Sequence, residues 1–129
     1  MDNVSDFLIR IKNSSYAGRW ELLTPFSNFN HQIAGILEKE GFLKKVEIKE
    51  EEGKKKLFLS LAGKGQKPTR VQVIRVSKPG RRVYLRASDL KKLRGIWTVI
   101  VSTPQGLLNA KEAWKKNLGG EIICKISEA

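Results

Sequence analysis

Groups able to do covalent chemistry are scarce in this chain of 129 residues, which has one cysteine, Cys124, and one histidine, His31. A lone cysteine closes no disulfide within the chain, which fits a reducing compartment. One His and one Cys also leave no metal-ligand cluster of the usual spacing, so no metal and no cofactor is expected. Neither a GxGxxG nor a Walker loop is present, which argues against an RNA-processing or RNA-modifying enzyme. The apolar run Ile96–Val101 is far shorter than the roughly 20 residues a membrane span needs. Met1–Asp6 carries acids and no basic segment, so a secretory signal is not expected. Acids are also few: 13 Asp and Glu stand against 25 Lys and Arg, a net charge of +12.

The excess is uneven. Residues 1–65 hold 11 Lys and Arg against 9 Asp and Glu, whereas residues 66–129 hold 14 against 4. The second half therefore carries a net +10 of the total, which points to a polyanionic partner met mainly there. The plainer alternative is a solvated basic surface that aids solubility. Hydrophobic residues make up 40 %, enough for a core in one domain or two small ones.

Periodicity predicts an α+β chain of two small domains. Val4, Phe7, Leu8 and Ile11 mark a helix over 4–17, capped by Asn3 with Asp6 three residues on and ended by Gly18. Residues 20–24 read as a strand stopped by Pro25. A second helix starts at Ser27, presents Phe29, Ile33, Ile36 and Leu37, and ends at Gly41 with Phe42 folding back. Strands follow over 42–49, with Val46 and Ile48 inward, and over 55–61, with Leu57, Leu59 and Leu61 inward. Residues 51–54 form the turn between them. The result is an N-terminal α-β-α-β-β domain, 1–66. Residues 63–68 read as a linker or long turn, at the point where the charge balance shifts.

Residues 67–129 predict a mostly β domain with one short helix. Strands are expected at 70–76 and 82–85 around a type II turn at Lys78-Pro79-Gly80-Arg81. A turn or single helical turn covers 88–93. A strand buried on both faces spans 95–101. Asn109 caps a helix with Glu112 at its third position, Gly119 breaks it, and a last strand over 121–126 sets Ile122, Cys124 and Ile126 on one face. Trp20, Trp97 and Trp114 read as packing residues, His31 as a surface or satisfied histidine, and Cys124 as a small buried hydrophobe.

Two segments carry the recognition chemistry. Val101-Ser102-Thr103-Pro104-Gln105-Gly106 sets two hydroxyls and a glycine after a strand, and Gly119-Gly120-Glu121 precedes the next one. Hydroxyls address base edges, 2′-hydroxyls and phosphates, and glycines let a backbone approach a sugar or base closely. Ordinary turn chemistry, with Ser and Thr bonding their own backbone, is an equal alternative from spacing alone. Arg70, Arg75, Lys78, Arg81, Arg82 and Arg86 crowd the expected hairpin. Tyr84 suits stacking on a base or sugar, or a half-buried strand position. Glu121 either accepts from a base amino group or 2′-hydroxyl, or orders the Ser-Thr loop.

These segments, with Asp6–Asn13, Glu38–Phe42 and Arg75–Tyr84 in the same order, resemble the family of the eighth protein of the bacterial small ribosomal subunit. The pair of segments at 101–106 and 118–124 is the family's signature. The resemblance implies a structural, non-enzymatic protein of two domains. It implies binding to a bulged helix in the central domain of small-subunit (16S) rRNA, support of early assembly, and neighbours among other small-subunit proteins. It also implies a cytoplasmic location in the ribosome, with an organellar ribosome left open, and repression of the protein's own mRNA. On matching positions Ser102, Thr103, Gly106, Gly120, Glu121 and Tyr84 inherit RNA contacts. Lys54 in the first hairpin and Arg10, Lys12 and Asn13 on the first helix inherit further ones. The phosphate contacts expected of the second hairpin fall to Arg75, Lys78, Arg81 and Arg82. Two positions depart from the family. Pro104 stands where a third hydroxyl is usual and supplies neither hydroxyl nor amide hydrogen. Asn109 replaces a Thr, a change between two good caps. A general nucleic-acid-binding protein is the remaining alternative.

Overall fold

The computed structural model describes residues 3–93 and 95–129; Met1, Asp2 and Arg94 lie outside. The chain divides into two compact units, Met1–Gln72 with Glu128–Ala129, and Val73–Ser127.

In the first unit, α1 (Asn3–Tyr16), β1 (Glu21–Pro25), α2 (Asn28–Lys39), β2 (Leu43–Glu51) and β3 (Lys54–Leu61) follow in the expected α-β-α-β-β order. The three strands form an antiparallel sheet ordered β1-β3-β2. Phe7, Leu8 and Ile11 of α1, Ile33, Ala34 and Leu37 of α2, and Leu57, Leu59 and Leu61 of β3 are buried. Local signals set the ends of α2. The Ser27 side chain accepts from the Asn30 amide at 3.0 Å, leaving one fewer orphan donor. Gly41, at φ +88°, lets the Phe42 amide reach back to the Leu37 carbonyl at 2.8 Å. Gly18, at φ +75°, ends α1 in the same way, with Arg19 donating to Ser14. The 51–54 turn has positive φ at both Glu52 and Gly53, the type I′ geometry that suits a two-residue hairpin.

Several expectations shift. Asn3, expected as the cap, already belongs to α1, and Asp6 pairs with Arg10 one turn on at 2.9 Å. Pro25 does not stop β1 but ends it in register with Lys56. That position is open to proline because β1 is an edge strand. The buried face of α2 centres on Asn30, Ile33, Ala34 and Leu37, with Phe29 and Ile36 only partly covered at its margins. Ile48 shares a face with its partner Leu57 yet is 46 % exposed, because β2 is also an edge. Residues 63–68 form a closed loop: the Thr69 amide donates to the Ala62 carbonyl, and a Cβ on Gly63 would stand 2.7 Å from the Pro68 Cα.

In the second part of the chain, β4 (Val71–Arg75), β5 (Tyr84–Leu85), α3 (Ala87–Leu90), β6 (Thr98–Thr103), β7 (Gly106–Asn109), α4 (Ala110–Lys115) and β8 (Gly120–Glu128) follow. The sheet order is β4-β8-β6-β7, with β5 also paired to β8. Leu90, Val99, Val101, Ala110, Ala113 and Ile122 form one buried cluster, against which Trp97 packs. Asn109 caps α4 as expected, accepting from the Glu112 amide at 2.8 Å. The left-handed residue after α4 is Asn117, at φ +57°, and not Gly119. Trp97 packs against this cluster as expected, whereas Trp20 and Trp114 are each more than a third exposed.

Two strands differ in substance. Gly95 lies at φ +123° and turns the chain, so β6 starts only where Thr98 meets Ile126, leaving Ile96 79 % exposed. In β8 the register skips Ile123: Cys124 faces Ile100, while Ile122 faces Val101. This β-bulge reverses the alternation. Cys124 and Ile126 therefore lie on one face and Ile122 on the other, where it joins Val99 and Val101.

Candidate nucleic-acid interface

The register of β5, β8 and β6 aligns three expected site residues. Tyr84 faces Glu121, and Glu121 faces Ser102. Directly opposed residues on neighbouring strands project from the same face about 5 Å apart. Tyr84, Glu121 and Ser102 thus form a transverse row. Tyr84 is 66 % exposed, well beyond a half-buried strand position. Glu121 is mostly covered, and its carboxylate accepts from Arg82 at 3.0 Å. The sequence suggested neither this pair nor the resulting neutralisation, because the register that joins residues 39 apart is a long-range property. The only local hint is that Arg82 and Tyr84 stand two apart, hence on one side of an extended chain.

The row exists because two glycines leave room for it. A Cβ on Gly120 would overlap the Ser102 carbonyl, and one on Gly119 would stand 2.6 Å from the Leu85 carbonyl. These glycines thus admit the close approach of the protein's own strands.

The two hydroxyls behave differently. Ser102 and Thr103 are the last residues of β6 and not a loop beyond it. Thr103 pairs with Gly106 across a two-residue connection, Pro104-Gln105. The Thr103 hydroxyl donates to the Gly106 carbonyl at 2.8 Å and accepts from the Gln105 amide at 3.1 Å. With 7 % exposure, it shapes the turn. Gly106 sits at φ +105°, which a side chain would strain. The Ser102 hydroxyl has no partner within the protein among the described residues and lies in the row.

The basic hairpin lies alongside. Lys78 and Arg81 exchange backbone hydrogen bonds at 2.9 Å around Pro79 and Gly80, with Gly80 at φ +85° as a type II turn requires. The return strand pairs with β8 and not with β4. The buried Ser77 hydroxyl accepts from the Val83 amide at 2.9 Å and fixes the hairpin base. Lys78, Arg81 and Arg82 are exposed. Arg75 is half-buried, and its charge acts on Cys124. Burial pushes the Cys124 thiol up to about 12, against which Arg75 pulls downward. Cys124 is thus the inert, buried hydrophobe its sequence context suggested.

Lys54, Arg10, Lys12 and Asn13 belong to the first unit and are all exposed. Arg10 and Asn13 line a groove of about 400 Å³ with Ser14, Arg19, Leu22 and Leu23. Lys12 lies instead beside the Tyr16 ring, 5.9 Å from its centroid. Among the described residues, no three His, Cys, Asp or Glu side chains gather where they could hold a metal ion.

Residues 2–127 match the family model for ribosomal protein S8. Small ribosomal subunit protein uS8 of Streptococcus pneumoniae serotype 19F (strain G54) is 45 % identical over 128 residues, covering 97 % of this chain and 96 % of that protein. The protein of the same name from strain Hungary19A-6 matches to the same extent. With the family model spanning nearly every residue and the row of Tyr84, Glu121 and Ser102 held on its glycine bed, the chain belongs to the ribosomal protein S8 family.

Proposed function

We propose that the Tyr84–Glu121–Ser102 row reads a bulged helix in the central domain of small-subunit rRNA while the neighbouring cations hold its phosphates. As a member of its family the protein is a structural, rRNA-binding constituent of the small ribosomal subunit, and it acts by recognition and not by catalysis. The observation that carries the finer reading is the register that sets an exposed aromatic, a paired carboxylate and a free hydroxyl side by side.

Each member has a distinct part. The Tyr84 ring offers a face for a base or sugar that a bulge has unstacked. The Ser102 hydroxyl both donates and accepts, so it addresses a base edge or a 2′-hydroxyl. Glu121 accepts from a base amino group or a 2′-hydroxyl, and Arg82 offsets the repulsion its charge would exert on phosphate. Thr103 and Gly106 act one step back by fixing the turn. Lys78, Arg81 and Arg82 supply the salt-dependent part of the affinity, with Arg75 contributing less because it is half-buried. In this reading residues 67–129 form the main RNA-binding domain. Residues 1–66 form an α/β domain whose Lys54, Arg10, Lys12 and Asn13 meet further rRNA. Binding holds an RNA fold that later proteins of the subunit need, and a matching fold in the protein's own mRNA would be a second target.

The test is equilibrium binding to a central-domain rRNA fragment against an equal length of rRNA from elsewhere, with duplex DNA as competitor. Ser102→Ala with Tyr84→Ala should weaken binding to the central-domain fragment by about 2–4 kcal/mol, the sum of a lost hydrogen bond and a lost stacking contact. Binding to the other fragment should hardly change. Equal loss on both fragments, or competition by duplex DNA as strong as by rRNA, would refute the assignment.

A further inference from the structure

A second aromatic stands among cations on the first unit, Lys12 among them. Tyr16, on the last turn of α1, is 43 % exposed. The Lys12 ammonium lies 5.9 Å from its ring centroid and the Arg70 guanidinium 5.3 Å. Lys12 is one turn back on the same helix face. Arg70 comes from a distant part of the chain, and its position is built. The buried Ser15 hydroxyl donates to the Lys12 carbonyl at 2.7 Å and accepts from the Val71 amide at 3.2 Å. The Arg70 carbonyl accepts from the Ala129 amide at 2.8 Å. The single peptide unit joining Arg70 to Val71 is therefore bonded at both ends, which presents Arg70 beside the residue that follows Ser15.

The result is two exposed like charges gathered on one ring. Neither forms an ion pair among the described residues, whereas Arg10, on the same helix, is neutralised by Asp6. Ring quadrupoles attract cations, but a cation–π contact at an exposed site is worth only about 0.5–1 kcal/mol and leaves both charges uncompensated. The natural complement is an anion that spans both. A flexible polyanion with regularly spaced charges fits better than a carboxylate, since arginine and lysine together suit successive phosphates.

We propose that Lys12, Tyr16 and Arg70 form a clamp for an RNA phosphodiester backbone. The two cations engage phosphates, and the Tyr16 ring sets their spacing. This rests on the RNA-binding reading above and shares Lys12 with it, but it lies on the first unit, whereas the Tyr84–Glu121–Ser102 row lies on the second.

Full-length protein and a transcript of the whole small-subunit rRNA serve for the test. Binding is measured across a range of salt for Lys12→Gln with Arg70→Gln, for Tyr16→Leu, and for Ser102→Ala with Tyr84→Ala. Removing the two cations should lower the slope of log affinity against log salt by about one per cation. Tyr16→Leu, which keeps both charges, should weaken binding about two- to fivefold. An unchanged slope in the clamp variant, beside weakened binding in the row variant, overturns the clamp and leaves the row standing. A lowered slope with an unaffected row variant does the reverse. Acylation of lysines on the parent protein, read by mass spectrometry with and without the transcript, needs no substitution. Lys12 should be protected in the complex, and equal modification in both states overturns the clamp.

Discussion

Glu121 is the residue whose chemistry depends most on one neighbour. A carboxylate facing RNA is a liability unless a cation offsets it, and Arg82 does so at 3.0 Å. Arg82→Gln should therefore cost rRNA affinity beyond one lost phosphate contact, about 1–2 kcal/mol in all, because the carboxylate is left uncompensated. Adding Glu121→Gln to Arg82→Gln should recover part of the loss, as read in a double-mutant cycle of dissociation constants. Among the glycines, Gly120 leaves the least room for a side chain. Gly120→Ala drives a methyl into the Ser102 backbone and should lower stability by about 3 kcal/mol, measured by urea unfolding. Cys124 gives a pH signature. Its thiol keeps its proton up to about 12 when folded, while the unfolded chain releases it near 9. Between those values the folded state binds more protons, so this group's contribution is full below pH 9 and is lost as pH rises toward 12. Cys124→Ala should accordingly lose less stability than the parent over that window, measured by denaturant unfolding at each pH.

At the scale of elements, the short-range signals were the readable ones. Ser27 with Gly41, Asn109 with Glu112, and Pro79-Gly80 act through bonds within five residues, and each does in the structure what its residue type implies. Asn109→Ala should cost about 1 kcal/mol by removing the bond to the Glu112 amide, seen as a lower melting temperature. What could not be read is decided by partners far along the chain. The apolar run from Gly95 looks like strand throughout, but strand begins only where Ile126 offers a ladder. Ile48 looks inward and lies on the inward face, yet only the packing above an edge strand could cover it. Ser102 and Thr103 look equivalent in sequence. Only the 103–106 pairing commits one hydroxyl to the turn and leaves the other in the row. The site residues on strands were thus legible as types, whereas their alignment with Arg82 awaited the register.

For the whole molecule, charge acts in opposite directions on the free and the bound states. A net +12 over 129 residues repels itself, so added salt should raise the melting temperature of the free protein. The same salt should weaken the rRNA complex, since cations bound at each phosphate are no longer released into a dilute solution. Calorimetric melts and binding isotherms over one salt series would display both trends. The strand row and the clamp belong to different units, so their variants should also differ in kind. Row variants change which RNA is preferred, and clamp variants change how steeply salt competes.

The bulge at Ile123 governs how the chain can change in length. Glu121 and Cys124 are three apart, an odd number, yet they share a face because one residue between them is surplus to the ladder with β6. Deleting Ile123 would let Cys124, still opposite Ile100, follow directly on Ile122, still opposite Val101. Deleting Lys125 instead would also close the bulge, but with Ile123 brought opposite Ile100 and Cys124 moved opposite Val99, onto the other face. Position 123 is thus the point in the strand where the chain can lose one residue without rewriting either face.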